Sequence, residues 1–265
     1  MTTATAVDEK ILLRSAANGI ATLTLNRPKQ YNALSEELLS ELQSALGAIE
    51  QDESVRVVLI AANGTAFCAG HDLKQMRATP RKAYYDKLFA QCSDVMKRIV
   101  RIPQPVIARV HGIATAAGCQ LVAQCDLAVA SDNAKFAVSG INVGLFCSTP
   151  SVPLGRNVLR KQAMEMLLTG DFIDAATAVE RGLINRAVPA DQLDVAVSEL
   201  AQKILSKSSV AVSTGKKMFY KQLEMGLEGA YQYAAEVMAC NMMAEDVGEG
   251  IDAFAQKRPP VWRGK

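Results

Sequence analysis

Two short segments of small residues carry the candidates for chemistry. Phe67-Cys68-Ala69-Gly70-His71-Asp72 and Ala114-Thr115-Ala116-Ala117-Gly118 each follow an apolar, β-rich run and lead into a helical pattern. Where a strand gives way to a helix, the first backbone N–H groups of that helix have no partner. They lie at the positive end of the helix dipole and favour an anionic oxygen. With almost no side chain at 114–118, a ligand carbonyl can approach that backbone closely. Two such donors, carried on neighbouring parallel strands, would converge on one oxygen and stabilise an enolate or tetrahedral oxyanion, each donor being worth roughly 2.7–4 kcal/mol of barrier. A tight strand–helix packing joint would produce the same local pattern, so this stretch alone leaves both readings open.

The other reactive side chains are few. The chain has two histidines. His71 lies in the first loop, where its imidazole could titrate near neutrality or serve only through its N–H, and His111 is expected to order the turn after its strand. Cys147-Ser148-Thr149 either points a nucleophile inward or caps a helix beginning near Pro150. Gln120 could hold water or a substrate group by hydrogen bonds, Asp72 could cap a short helix, and Glu165 is expected to be paired structurally. The six cysteines, mostly inside apolar runs, form no CxxC pair or Cys/His cluster. Neither zinc nor a redox motif is indicated, and buried free thiols in a reducing compartment are expected.

The elements that must hold these groups can be read from periodicity. Residues 10–14 and 19–25 predict a hairpin split by Ala-Asn-Gly. Ser35, followed by Leu38, Leu39, Leu42, Leu46 and Ile49, predicts an N-capped amphipathic helix. Apolar runs at 57–61 and 106–110 predict buried strands, the first followed by a turn into a short helix, and 82–101 is helical in pattern. Leu121, Val122 and Cys125 fit a short buried helix, with short strands at 127–130 and 135–138. The recurring strand–strand–helix order predicts a spiral of ββα turns. Beyond about 150, helical periodicity dominates at 157–168, 174–181, 191–206, 208–225 and 228–255, with a strand-like stretch at 183–188. The methionines concentrated there suggest a core or a subunit interface.

The chain of 265 residues, 49% apolar, can bury a sizeable core. Its 29 basic and 27 acidic side chains form no block of like charge, which argues against nucleic acid or an anionic membrane as partner. No secretory pattern and no membrane-length apolar run is visible, so a soluble, cytoplasmic protein is expected.

Together FCAGHDL, HGIATAAGCQLVAQCDLAVAS, KFAVSGINVGLF and AMEMLLTGDFIDAATAVERGLI resemble the crotonase (enoyl-CoA hydratase/isomerase) superfamily, over a match running from about residue 10 to the C-terminus. The resemblance implies an α/β fold, a crotonase-like spiral of ββα units. Residues 1–200 would form the core that binds the thioester, and 201–265 a helical trimerisation region. It implies an acyl-CoA or enoyl-CoA thioester as ligand, with coenzyme A entering as part of the substrate and no prosthetic group or metal. It further implies a homo-oligomer, a trimer or dimer of trimers. The thioester carbonyl would be held by the N–H groups of His71 and Ala117, the latter standing where the family usually has glycine. The two glutamates of family hydratases align with Gln120 and Gly140, and the nucleophilic aspartate of the dehalogenase branch aligns with Ser148. An amide transfers no proton near neutral pH and glycine offers nothing, so hydration by the usual pair is not expected. Gly140 is read as a position that could require a positive φ. Coenzyme A contacts are implied at Arg27, Lys29, Ala66, Ala69, His71, Asp72 and Leu73, with Gly118 and Gly140 beside the acyl group. Phe254 and Lys257 would be lent by a neighbouring subunit.

Overall fold

The computed structural model describes residues 10–265. It opens with the expected hairpin: β1 (Leu12–Ala17) and β2 (Ile20–Leu25) pair antiparallel through a turn in which Asn18 and Gly19 both have positive φ. That is the backbone a tight two-residue hairpin requires. Helix α1 (Glu36–Glu50) starts where Ser35 accepts the Leu38 N–H, and it buries the five apolar residues of its stripe.

Three ββα units follow. The first is β3 (Val57–Ala62), β4 (Ala66–Cys68), α2 (Leu73–Ala78) and the long α3 (Lys82–Arg101). The second is β5 (Val106–Val110), β6 (Ile113–Thr115) and α4 (Ala117–Gln124). The third is β7 (Leu127–Ser131), β8 (Lys135–Ala137) and α5 (Ser148–Asn157). Each unit sends its first strand to a six-stranded sheet, ordered β1-β2-β3-β5-β7-β10, and its second to a four-stranded sheet, ordered β4-β6-β8-β9. Helix α6 (Arg160–Thr169), β9 (Ile173–Asp174), α7 (Ala175–Glu180) and β10 (Arg186–Val188) complete the sheets. Then come α8 (Leu193–Leu205), α9 (Ser209–Gln222), α10 (Leu227–Asn241) and α11 (Glu245–Ala255).

The central strands are buried on both faces, which explains their unbroken apolar runs. On β3, Val58 and Ile60 join the main core while Val57 meets Ile107, Val129 and the Leu193, Val197 and Ala201 stripe of α8. Two features differ from the sequence-based expectation. Ala66–Cys68 and Ile113–Thr115 are strands rather than parts of turns, too short for two-fold alternation to be visible. The pattern at 228–255 is also broken at 242–244, after which α11 is anchored at Asp246. Its buried carboxylate accepts from Ser208 Oγ at 2.6 Å and from the Arg263 N–H at 2.7 Å.

The C-terminal helices are tied to the sheets by a half-buried cluster. Lys216 Nζ on α9 donates to the Ile99 and Gln104 carbonyls, each at 2.8 Å, and to Asp126 at 2.6 Å. Tyr220 donates to the same carboxylate at 2.8 Å, and burial drives its phenol pKa upward.

Candidate active site

The two small-residue loops leave the ends of β4 and β6, which pair in parallel with Cys68 opposite Ala114. The first loop is gripped from one side. Leu34 donates to the Gly70 carbonyl at 2.7 Å, Asp72 donates to the Leu34 carbonyl at 3.3 Å, and Ala69 donates to the Tyr31 carbonyl at 3.0 Å. This places His71 in a parallel bridge with Leu34. The alternation of a strand then turns the His71 N–H to the opposite side, and among the described residues it meets no acceptor. In the second loop Ala116 donates to the Ala137 carbonyl at 3.0 Å, and its own carbonyl accepts the Gln120 N–H that begins α4. Ala117, the first residue of that helix, is left with an N–H that has no acceptor among the described residues.

The residue before each donor has positive φ, +93° at Gly70 and +50° at Ala116. A Cβ on Gly70 would lie 2.8 Å from Ala116 Cβ and 3.2 Å from the Ala117 nitrogen, so the two loops are in contact there. Beneath them Gly118 lies against the end of β4: a Cβ would overlap the Cys68 carbonyl oxygen and stand 2.7 Å from its carbon.

The loops open onto a cavity of about 280 Å³. Ala69, His71, Leu73, Ala117 and Gly140 line it, together with Met76 and Phe89 from α2 and α3 and the 143–150 stretch leading into α5. Among the described residues no carboxylate side chain lines this wall; the titratable side chains there are His71 and Cys147. Burial pushes the His71 imidazole pKa down and the Cys147 thiol up. Both ring nitrogens of His71 are buried without a hydrogen-bond partner, and the ring stands edge-on to Phe89 with centroids 5.5 Å apart.

The remaining sequence candidates lie around or away from this wall. Asp72 caps α2 through the Lys74 and Gln75 N–H groups and holds Arg27 Nη2 at 3.0 Å, so Arg27 and Asp72 are engaged with each other. Burial alone would raise the Asp72 carboxyl pKa, but the Arg27 hydrogen bond and the cap bring it below the ordinary value. Lys29 is exposed on the single turn Pro28–Gln30. Ala66 is buried in β4, and its carbonyl accepts from Asn32 at 2.8 Å. Gln120 is buried in α4 with Oε1 unpartnered and does not line the cavity. Phe254, 87% exposed, borders a different groove with Trp262 and Asp246, and Lys257 follows α11 with φ +54°.

Three expectations are corrected. Gly140 has no positive φ; its constraint is steric, since a Cβ would lie 2.6 Å from the Leu145 carbonyl oxygen. Neither Ser148 nor Thr149 caps α5: the N-cap is Cys147, without a side-chain cap bond, and Ser148 Oγ donates to the Phe146 carbonyl instead. The donor loops follow β4 and β6 directly, rather than β3 and β5. His111 does order its turn, with Nε2 2.8 Å from the Gly64 carbonyl, and Glu165 is paired with Arg181 at 2.8 Å.

Sequence reading missed Asn32, the buried residue that organises the first loop. Its Oδ1 accepts the Arg27 N–H and its Nδ2 spans the Asn63 and Ala66 carbonyls, each at 2.8 Å. It also missed Met76 and Phe89, whose helical spacing is that of ordinary core residues. Among the described residues, no cluster of three His, Cys, Asp or Glu side chains could hold a metal ion.

A spiral of ββα units, with two small-residue loops meeting above paired second strands, defines a crotonase-type α/β protein. The enoyl-CoA hydratase/isomerase family profile matches residues 15–265, and the chain belongs to that family. It is similar to the rat protein named enoyl-CoA hydratase domain-containing protein 3, mitochondrial, at 48% identity over 245 residues, 92% of this chain and 82% of the rat protein. The human protein of that name is 47% identical, over 92% of this chain and 81% of its own. The crystal structure of an enoyl-CoA hydratase from Mycobacterium smegmatis matches with TM-score 0.95 and 58% identity, covering 96% of this chain and 99% of that one. These vertebrate relatives are named as mitochondrial, which overturns the expectation of a cytoplasmic protein. Free thiols and the lack of a secretory pattern do not distinguish one reducing compartment from another.

Proposed function

We propose that the cavity receives the acyl group of a coenzyme A thioester and that the His71 and Ala117 N–H groups bind its carbonyl oxygen. The observation that carries this reading is the pair of N–H groups without acceptors, on loops in contact with each other, beside an apolar cavity. Donors fixed in place before the reaction need no reorganisation as charge develops on oxygen. The coenzyme A portion then runs past Leu73, Ala69 and Ala66 toward Arg27, Lys29 and Asp72, with Gly118 holding the loops in register. No prosthetic group enters; coenzyme A is part of the substrate.

The relatives' names support hydration of an enoyl-CoA as the family-level reaction. Gln120 and Gly140 stand at the two catalytic glutamate positions, so hydration here is slower by several orders of magnitude, each acid–base group being worth roughly 10²–10⁴-fold. Crotonyl-CoA, followed by loss of its conjugated absorbance, tests this; turnover at ordinary enzyme rates would refute it. Calorimetry tests the binding claim: butyryl-CoA binds more tightly than free coenzyme A, and equal affinity would refute recognition of the carbonyl.

The wall without a carboxylate favours a second reading, an acyl-CoA reaction that needs the donors alone. Decarboxylation of a carboxyl-bearing acyl-CoA produces the enolate without a base, and thioester hydrolysis uses the same oxyanion site. Binding without turnover of any of these thioesters would instead mark an acyl-CoA-binding regulator.

The same proposal assigns thioester binding to residues 1–200 and assembly to 201–265, as a trimer or dimer of trimers. Its support is the apolar surface of α9–α11, where Tyr231, Met243 and Phe254 are 71%, 85% and 87% exposed. In the assembly Phe254 and Lys257 reach a neighbour's nucleotide. A monomeric mass by light scattering at micromolar concentration would refute the assembly.

A further inference from the structure

Ser139 lines the cavity, and a second side chain fixes its hydroxyl. Its Oγ lies 2.7 Å from Thr115 Oγ1, on a residue only 8% exposed at the end of β6. The strands bring the two together. β6 and β8 run parallel with Thr115 opposite Ala137, and the Ala116 N–H donates to the Ala137 carbonyl. Ser139 thus leaves β8 beside the loop that carries the Ala117 donor. Ser148, another hydroxyl on the same wall, is turned to the Phe146 carbonyl instead.

Each hydroxyl has one proton to donate. The bond between Thr115 and Ser139 uses one of the two, and among the described residues neither oxygen has a further partner. If Ser139 donated, the Thr115 proton would be buried with no acceptor, which forfeits its solvation. The favoured arrangement has Thr115 donating, so the Ser139 O–H is left for the cavity and its direction is set by the proton it accepts.

We propose that Ser139, oriented by Thr115, is a binding residue that recognises an oxygen on the acyl chain close to the thioester, the hydroxyl of a 3-hydroxyacyl-CoA. The proposal rests on the reading of the cavity as a thioester site. With the carbonyl oxygen held at His71 and Ala117, the first carbons of the acyl chain lie beside the Ala117 loop, where Ser139 stands. Family-level hydration places its oxygen on Cβ, and a hydroxyl there accepts the Ser139 proton. An unsubstituted alkyl chain cannot accept it and leaves the donor unpaired. Because the carbonyl and the coenzyme A end are held as well, the site distinguishes the two enantiomers of a 3-hydroxyacyl group. One presents its oxygen to Ser139 and the other does not, although their size and polarity are the same. Ser139 selects the ligand, and Thr115 is a positioning residue.

The test is calorimetry of the full chain with the two enantiomers of 3-hydroxybutyryl-CoA, with butyryl-CoA and free coenzyme A as references. One enantiomer should bind about 2–10-fold more tightly than the other, the worth of one neutral hydrogen bond. Ser139→Ala should erase that ratio. Thr115→Val keeps Ser139 but removes the group that orients it, and should narrow the ratio. Equal affinity of the wild type for both enantiomers, or a ratio that survives Ser139→Ala, overturns the proposal. An unchanged ratio in Thr115→Val does the same, and this variant decides the matter if Ser139→Ala fails to fold. Equal enantiomers in a protein that prefers butyryl-CoA to coenzyme A refute the role of Ser139 alone. A wild type that binds no thioester more tightly than coenzyme A overturns the thioester reading beneath it.

Discussion

Gly118→Ala probes the joint that holds the two donor loops together. Two effects of opposite sign compete. Gly118 is in the first turn of α4, where alanine is favoured over glycine by at most the helix-interior value of about 0.8–1.0 kcal/mol. Against this, the new Cβ would overlap the Cys68 carbonyl oxygen and stand 2.8 Å from Cys68 Cβ. The oxygen belongs to the backbone of β4, so no side chain can rotate away, and relief requires the end of that strand to move. Overpacking of this kind costs about 1–3 kcal/mol, so the clash outweighs the helix gain and the variant loses stability. The same displacement carries Ala69–His71 with it. A shift of about 1 Å in a positioned group costs roughly 10²-fold in rate, and losing one carbonyl hydrogen bond removes about 0.5–1.5 kcal/mol of binding. The preference for butyryl-CoA over coenzyme A should therefore collapse in calorimetry. Gly155→Ala is the internal control. It makes the same change inside α5, is exposed, and has no atom within 4 Å of its would-be Cβ. It should gain about 0.5–1 kcal/mol and leave binding alone. A Gly118→Ala protein as stable as Gly155→Ala, with its acyl preference intact, would refute the reasoning.

Further outcomes follow from other contacts. Gln120→Glu with Gly140→Glu should lower stability and give no gain in crotonyl-CoA hydration, because the 140 side chain meets the Leu145 carbonyl oxygen at 2.6 Å; a hydratase rate rising by orders of magnitude would contradict that geometry. Lys216→Met leaves the half-buried Asp126 without its cation but still accepting from Tyr220 and the Val106 N–H and should cost about 1.5–3 kcal/mol in urea unfolding. The lowered His71 pKa makes the unfolded chain the stronger proton binder below pH ~6.5. Stability should thus fall as pH drops from about 6.5 to the folded-state pKa and level off below it, and His71→Gln should flatten that slope.

The fold was largely legible because its long elements obey one period each. The α1 stripe, the α3 spacing of Leu88, Cys92, Val95, Met96 and Ile99, and the doubly buried runs of β3 and β5 all announce themselves. The short second strands did not, since three residues such as Ala66–Cys68 show no period at all. Yet those strands, rather than the long ones, aim the donor loops. What could be read locally was the conformational demand of small residues before a helix; what could not was the partner that meets it from 31 or more positions away. Asn32 illustrates this, since nothing near it in sequence says that its amide will span Asn63 and Ala66.

The chemistry of the wall has the same origin. Gly140 reads in sequence as a lost side chain, but in space its place is taken by the sulfur of Cys147 and the carbonyl of Leu145. The space beside Gly140 is filled by atoms five and seven residues further on, folded back by the Gly140–Leu145 turn, in which Leu145 donates to the Gly140 carbonyl at 3.0 Å. That turn, closed through Gly144 at φ +80°, makes the wall a property of the whole 140–147 loop. Placing a carboxylate at 140 would therefore require rebuilding the loop, since its Cβ would lie 2.6 Å from the Leu145 carbonyl oxygen.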